Sequence, residues 1–283
     1  MKKSLTLFIG VILLLAVGIF VSSKEQIGSQ SKNTEQYSNA DLNEQLVMSV
    51  LWMEKSAEYR ALCYQTFNLA KLRIDEELQK SHSKPLAVVV DVDETVLSNS
   101  AYEAWLIGKD KQYSKDTWSQ WINDAEATAL PGATEFLNYA NSKGVSIFYL
   151  TNRHESTRVG TLKNIQNVGF PNADNEHLLL KTTTGNKSPR REIVNKDYEV
   201  AIYMGDSLTD FTNEFAGKSI EEQKAIADQY LQEWGDKFIV LPNSEYGNWD
   251  GAIIENKWGA PASEKDAMRK AALERWQPKN EEL

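Results

Sequence analysis

The sequence is poor in sulfur and in histidine. Cys63 is its single cysteine among 283 residues, and its three histidines, His82, His154 and His177, lie far apart. One thiol excludes an internal disulfide framework and any zinc site built from several thiolates. No excess of positive charge is present either. Lys and Arg number 31 against 40 Asp and Glu, a formal net charge of -9. That balance argues against a nucleic-acid polymer as partner, because phosphate neutralisation needs a basic footprint. Internal repeats and long low-complexity tracts are missing too. What is present, 10% aromatic and 25% charged residues, is ordinary for a folded protein. The length suits one large α/β domain or two small ones.

Long apolar runs are limited to one. Lys2 and Lys3 precede Leu5 to Val21, and Ser22, Ser23 and polar residues follow. Residues 1–23 therefore read as a secretory signal, or as an N-terminal anchor that remains in the membrane, and imply an extracytoplasmic location. The membrane enters only through this segment. Residues 24–40, rich in Ser, Gln, Asn, Glu and Lys, read as a polar linker. A domain over 41–260 and a helical tail over 261–283 complete the expected organisation.

From Leu42 to about Gln79 apolar residues recur at threes and fours with no Pro or Gly between them, which predicts helix. Cys63 falls inside it and reads as a small buried hydrophobe. At Pro85 the period changes. Leu86–Val90 is a β-branched run ending in Asp91-Val92-Asp93-Glu94-Thr95. Val145–Leu150 ends in Thr151-Asn152-Arg153, Tyr198–Met204 in Gly205-Asp206, and Phe238–Leu241 in Pro242-Asn243. Helical stretches over 132–143 and 156–168 lie between. Strands alternating with helices predict an α/β fold, a Rossmann-like parallel sheet flanked by helices. Ligands of such sheets bind beyond the carboxyl ends of the strands, where these polar clusters fall.

Asp91 and Asp93 repel one another unless a cation lies between them or one is protonated. Hard oxygen ligands suit Mg²⁺. An EF-hand loop does not fit, since Val96 and Tyr102 stand where Gly and Glu are needed. Asp206 and Asp210 form a second acidic pair, and a helix starting there would place both on one face. The Thr151 hydroxyl and the Asn152 amide can donate to a phosphate, and Lys187 can neutralise it. A metal, a lysine and hydroxyl donors around a carboxylate nucleophile are what phosphoryl transfer through an aspartyl-phosphate requires. Arg153, Arg190 and Arg191 read as structural or surface cations.

Asp91-x-Asp93-x-Thr95, Thr151, Lys187 and Gly205-Asp206…Asp210 resemble, in order, the four motifs of the haloacid dehalogenase-like (HAD) superfamily. Val89–Tyr102 and Met204–Phe211 resemble the two halves of the signature of bacterial class C acid phosphatases. The similarity reaches from about residue 45 to 255. It departs at Val92, where Ile or Leu is usual, and at Ser207, where Asn or Thr is usual. Many relatives are lipoproteins, but no cysteine accompanies the apolar start here. The resemblance implies that Asp91 is the nucleophile and that Asp93 is the general acid and then the base. It also implies that Mg²⁺ is held by Asp91, Asp93 through its backbone carbonyl, and Asp206, with Asp210 in support. Thr151 and Lys187 would hold the phosphate. Protonation of Asp93 favours an acidic working range. The resemblance further implies homodimers, and phosphomonoesters as small-molecule substrates. None of the three histidines reads as a phosphohistidine nucleophile.

Only 36 positions separate Thr151 from Lys187, too few for a large cap. Residues 98–131, with Trp105, Tyr113, Trp118 and Trp121, suit a small helical cap. An open site rimmed by aromatics suits broad phosphomonoester use, including nucleoside monophosphates as for a 5'-nucleotidase, with Tyr102, Tyr246 and Trp249 as candidates to stack on a base. Two other readings keep the same residues. One is a phosphotransferase with an alcohol acceptor, the other a catalytically silent nucleotide-binding surface module.

Overall fold

The computed structural model describes residues 37–278. The predicted signal or anchor, and the linker up to residue 36, lie outside the described residues. The chain is already part of the fold at Tyr37, whose hydroxyl donates to Asp266 at 3.1 Å. Helix α1 (Asn39–Asn43) starts within the predicted linker, because Ser38 and Asp41 form a capping box there.

The long predicted helix is broken. α2 (Val47–Lys55) and α3 (Ala57–Glu77) are separated at Ser56, whose backbone is extended. Its hydroxyl accepts from the Tyr59 N–H at 3.0 Å, so a serine cap does what no Pro or Gly was present to do. α3 buries Tyr59, Cys63, Phe67, Ala70 and Ile74, a helical stripe against the sheet. Cys63 is fully buried there.

The central strand, β1 (Leu86–Val90), is buried at every position. The following turn leads to a small subdomain built from β2 (Leu97–Ser98), α4 (Ser100–Leu106), α5 (Lys115–Asp124) and β3 (Thr128–Ala129). β2 and β3 pair antiparallel and join the two ends of this segment, which covers most of residues 98–131. The chain then continues through α6 (Ala133–Ser142), β4 (Ser146–His154), α7 (Arg158–Asn167), β5 (Leu178–Lys181), α8 (Ser188–Asp197) and β6 (Glu199–Gly205). It ends with α9 (Ile220–Gln229), β7 (Phe238–Val240), α10 (Asn248–Ile253) and α11 (Ala262–Ala271).

The five-stranded sheet has the order β5-β4-β1-β6-β7, and all its pairs are parallel. This is the HAD-like α/β architecture. β5, a Leu178-Leu179-Leu180 run too short to stand out, was not anticipated. β4 is longer than expected and carries Thr151, Asn152 and Arg153 inside the strand. α11 ends at Ala271, short of the helical tail expected over 261–283, and Leu273 and Trp276 lie beyond it and are exposed. Among the described residues no helix is long and apolar enough to cross a membrane.

The order of connection reverses at β1. The chain moves outward through β4 and β5 on one side and through β6 and β7 on the other. That reversal opens a crevice beyond the carboxyl ends of β1, β4 and β6.

Candidate active site

Three strand ends deliver the site. Asp91 follows β1, and its N–H donates to the Met204 carbonyl at 2.9 Å, tying the turn to β6. Asp206 follows β6. Thr151 lies in β4 and is fully buried. Lys187 comes from a fourth segment, at the cap of α8, where the Asn186 side chain accepts from the Ser188 N–H and Pro189 occupies the first turn.

The Lys187 ammonium donates to Asp91 and also lies 2.7 Å from Asp210. Burial pulls this ammonium down, but the Asp210 and Asp91 carboxylates outweigh burial and hold it above its ordinary value. Burial pushes Asp91 well above the carboxylate range; Lys187 opposes this, and the neighbouring carboxylates add to it. Burial, then the Asp210 charge, raises Asp206 to about 7.

Asp91, Asp206 and Asp210 bring carboxylate oxygens within 4.8 Å of one another. The donor set is entirely hard oxygen, and among the described residues Lys187 is the cation that forms ion pairs with it. A divalent cation fits that excess of negative charge and that ligand type. The remaining oxygens of Asp206 are oriented by Thr95 Oγ1 at 3.2 Å and Asn243 Nδ2 at 2.8 Å. Asp210 reaches this group from a single 3₁₀ turn, Leu208–Asp210, rather than from an α-helix. Gly205 makes the approach possible, because a Cβ there would lie 2.4 Å from an Asp210 carboxylate oxygen.

The Asp93 carboxylate is outside this group. It accepts from Arg153 Nε at 2.9 Å and Asn99 Nδ2 at 2.9 Å, and the Thr151 hydroxyl stands 3.4 Å away. Arg153 is therefore no surface cation. It is buried, two positions after Thr151, so strand alternation turns both toward Asp93. Continuing the period of two beyond Leu150 is the signal that finds it. Arg190 donates to the Thr151 carbonyl and, at 2.7 Å, to the Asn152 side chain. Arg191 donates to the Asp210 carbonyl at 2.8 Å. These two cations brace the strand ends.

Glu94 was also missed. It takes the left-handed conformation (φ 53) in the turn after Asp93, is fully buried, and accepts from the Asn99 N–H at 2.5 Å and from the Tyr246 hydroxyl. Burial, then the Asp93 charge, raises it well above the carboxylate range.

A cavity of about 660 Å³ opens over these groups, with Asp91, Asp93, Asn152, Lys187, Asp206 and Asp210 on its floor. Of the three aromatics singled out, Tyr246 lines it. The Tyr102 ring is buried in the cap against Trp105 and Trp118, and its hydroxyl meets Thr117 at 2.9 Å. Trp249 is 41% exposed and is not part of the lining. Tyr113, Trp118 and Trp258 supply the other aromatic surface of the cavity.

A parallel α/β sheet with an Asp-x-Asp turn after its central strand, a lysine and a distal acidic pair defines a HAD-type phosphoryl-transfer scaffold. Residues 17–249 match the family described as HAD superfamily, subfamily IIIB (Acid phosphatase), and the chain belongs to it. The class C acid phosphatase from Bacillus anthracis is 39% identical, with a TM-score of 0.80 over 83% of this chain and 99% of that one. The same protein with tungstate bound gives the same values. Among curated plant proteins, Acid phosphatase 1 of Solanum lycopersicum is 30% identical over 43% of this chain and 50% of its own length. A Stem 31 kDa glycoprotein of Glycine max is 26% identical over 46% of this chain and 54% of its own length. The chain thus spans about half the length of these plant relatives.

Proposed function

We propose that this protein hydrolyses phosphomonoesters through phosphoryl transfer to Asp91. The observation that carries this reading is the Asp91 carboxylate at the end of the central strand, in contact with Lys187 and beside Asp93, on the floor of an open cavity. Membership of an acid phosphatase family supports it.

In the first step an Asp91 oxygen attacks phosphorus and the bond from phosphorus to the leaving oxygen breaks. Protonated Asp93 donates its proton to that oxygen, and the alcohol departs. In the second step ionised Asp93 takes a proton from water, whose oxygen attacks the aspartyl-phosphate. Phosphate leaves and both carboxyl groups are restored. Lys187 offsets negative charge on Asp91 and on the phosphoryl oxygens, and the Thr151 and Asn152 donors orient them. Arg153 and Asn99 hold the Asp93 carboxylate by donating to it. Asp91, Asp206 and Asp210 would hold Mg²⁺, with the Asp93 carbonyl as a further ligand; when bound, the ion supplies charge stabilisation to the phosphoryl group.

The deciding experiment assays p-nitrophenyl phosphate with Mg²⁺ across acidic pH, using the wild type and Asp91→Asn. The wild type is expected to turn over and the variant to lose essentially all activity. Undiminished hydrolysis by Asp91→Asn would overturn the aspartyl-phosphate route. The apolar start at residues 5–21 supports export, by a cleaved signal or a retained anchor, and family resemblance supports a homodimer. The aromatic lining supports nucleoside monophosphates among the substrates.

A further inference from the structure

Five cations stand on the wall of the active-site cavity, and among the described residues four of them are engaged. Arg153 lies against Asp93, and Lys187 against Asp91 and Asp210. Arg269 clasps Asp250, and Lys265 donates to Gln112 at 3.1 Å. The fifth, Lys181, forms no ion pair and no side-chain hydrogen bond among the described residues. It is half-buried, so its ammonium has given up water without gaining an acceptor. Burial pulls that ammonium down, and the Lys115 and Arg190 charges add to the effect. Amines titrate far above the acidic range, so at acidic pH the charge is present.

Strand register and hydrogen bonds fix where this charge stands. Lys181 ends β5 and pairs with His154 of β4, two positions beyond Asn152. Arg190 joins the same two strands, donating to the Leu179 carbonyl at 3.4 Å, to the Thr151 carbonyl, and to the Asn152 side chain at 2.7 Å. Lys181 therefore stands one strand outward from Thr151 and Asn152, on the cavity wall it shares with Asn152. The 3₁₀ turn Glu155–Thr157, directly after His154, packs against α5, whose first residue is Lys115. Lys115 is exposed and is the charge that Lys181 feels most. Lys181, Lys115 and Arg190 thus gather at one edge, none of them paired with a carboxylate among the described residues. An anion relieves such an excess. The transferred phosphoryl group already meets Lys187, Thr151 and Asn152 in the reading above, which leaves the β5 end for a different anion.

We propose that Lys181, supported by Lys115, binds a second anionic group on the substrate, so that the cavity favours phosphomonoesters whose alcohol also carries a phosphate or a carboxylate. The proposal rests on the phosphatase reading and adds its substrate class. The reaction is unchanged: water and the phosphomonoester give inorganic phosphate and the anionic alcohol.

The test compares ω-phosphonoalkyl, ω-carboxyalkyl and plain alkyl phosphates of graded chain length, on the full chain with Mg²⁺. A phosphonate is not hydrolysed, so each compound offers one scissile ester. The wild type is expected to favour the anionic esters in kcat/KM by about tenfold at the best length, and by less at high salt. The phosphono and carboxy arms tell which anion the subsite takes. In Lys181→Gln the preference is expected to fall toward parity, and in Lys115→Glu to fall or reverse. Equal kcat/KM for anionic and plain esters in the wild type overturns the proposal, as does a preference that Lys181→Gln leaves intact. So does a loss in Lys181→Gln shared equally by both kinds of ester, because Lys181 would then hold the transferred phosphate. Should Lys181→Gln fail to fold, Lys115→Glu decides, and an unchanged ratio there overturns the proposal. If p-nitrophenyl phosphate is not hydrolysed, the phosphatase reading fails, and calorimetric titration with propane-1,3-diphosphonate and with propylphosphonate reads the subsite alone. Tighter binding of the diphosphonate that Lys181→Gln weakens would then sustain the subsite; equal binding, or a difference the variant keeps, would overturn it.

Discussion

The Arg153 guanidinium lies 2.8 Å from the Asp93 carboxylate; the arginine side chain has no exposed surface, and the aspartate keeps 17% of its own. The cation is thus sealed in the protein while its partner faces the cavity. A planar guanidinium fixes a carboxylate in direction as well as in charge. It also reaches Asn99 at 3.3 Å, whose other contacts are Asp93, Glu94 and Trp121. Residues 97–129 and the strand ends therefore meet at one polar network around Asp93.

Replacing Arg153 by Ala should lower kcat about a hundredfold, the scale of general acid–base assistance, with KM little changed. Arg153→Lys should recover part of the loss, because it restores charge without the fork. Steady-state kinetics, with circular dichroism to check folding, would read this. A loss carried by KM alone would mean that Arg153 binds substrate rather than positioning Asp93.

Mg²⁺ should stabilise the folded protein, because Asp91, Asp206 and Asp210 converge and, among the described residues, Lys187 is the cation that forms ion pairs with them. An ion bound only by the native state adds about 2.7 kcal/mol at a hundred times its dissociation constant. Thermal unfolding with increasing Mg²⁺ should show a saturating rise in Tm that Asp206→Asn largely removes. A Tm indifferent to divalent cations would argue that the cluster is not a metal site.

Glu245 should make stability fall as pH rises. Burial lifts its carboxyl from 4.5 to about 7, so between those values the native state binds more protons than the unfolded chain. Stability is then greatest below the unfolded value and declines as pH climbs through the folded one. Full ionisation costs about 3 kcal/mol. Glu245→Gln should therefore be more stable than the wild type above neutral pH, with the difference shrinking toward pH 4.5. Denaturant melts at several pH values would reveal a constant difference, if the carboxyl were not burdened in this way.

The strands that carry the chemistry were legible because parallel strands are buried on both faces and so leave unbroken apolar runs. β1, β4 and β6 announced themselves in this way, and Asp91, Thr151 and Asp206 stand at or beside their ends. Local polar chemistry was less visible. Ser56 breaks a helix that apolar periodicity carries straight through, and Asp210 arrives on a 3₁₀ turn because Ser207 and Asp210 cap one another.

By itself the sequence determined the alternation of strands and helices, the acidic pairs and the family they resemble, since all of these reside in local period and spacing. Tertiary structure alone decided which charges meet. Arg153 looks like any cation until β4 lies beside β1, and Glu94 and Tyr246 are 152 positions apart before the fold joins them. The cavity walls required both ends of the described chain: α1 and α11 are clasped by Tyr37 on Asp266 and by Arg269 on Gln45. Contacts at that separation are set by packing and by the need to partner buried charge, and neither leaves a periodic mark in the sequence.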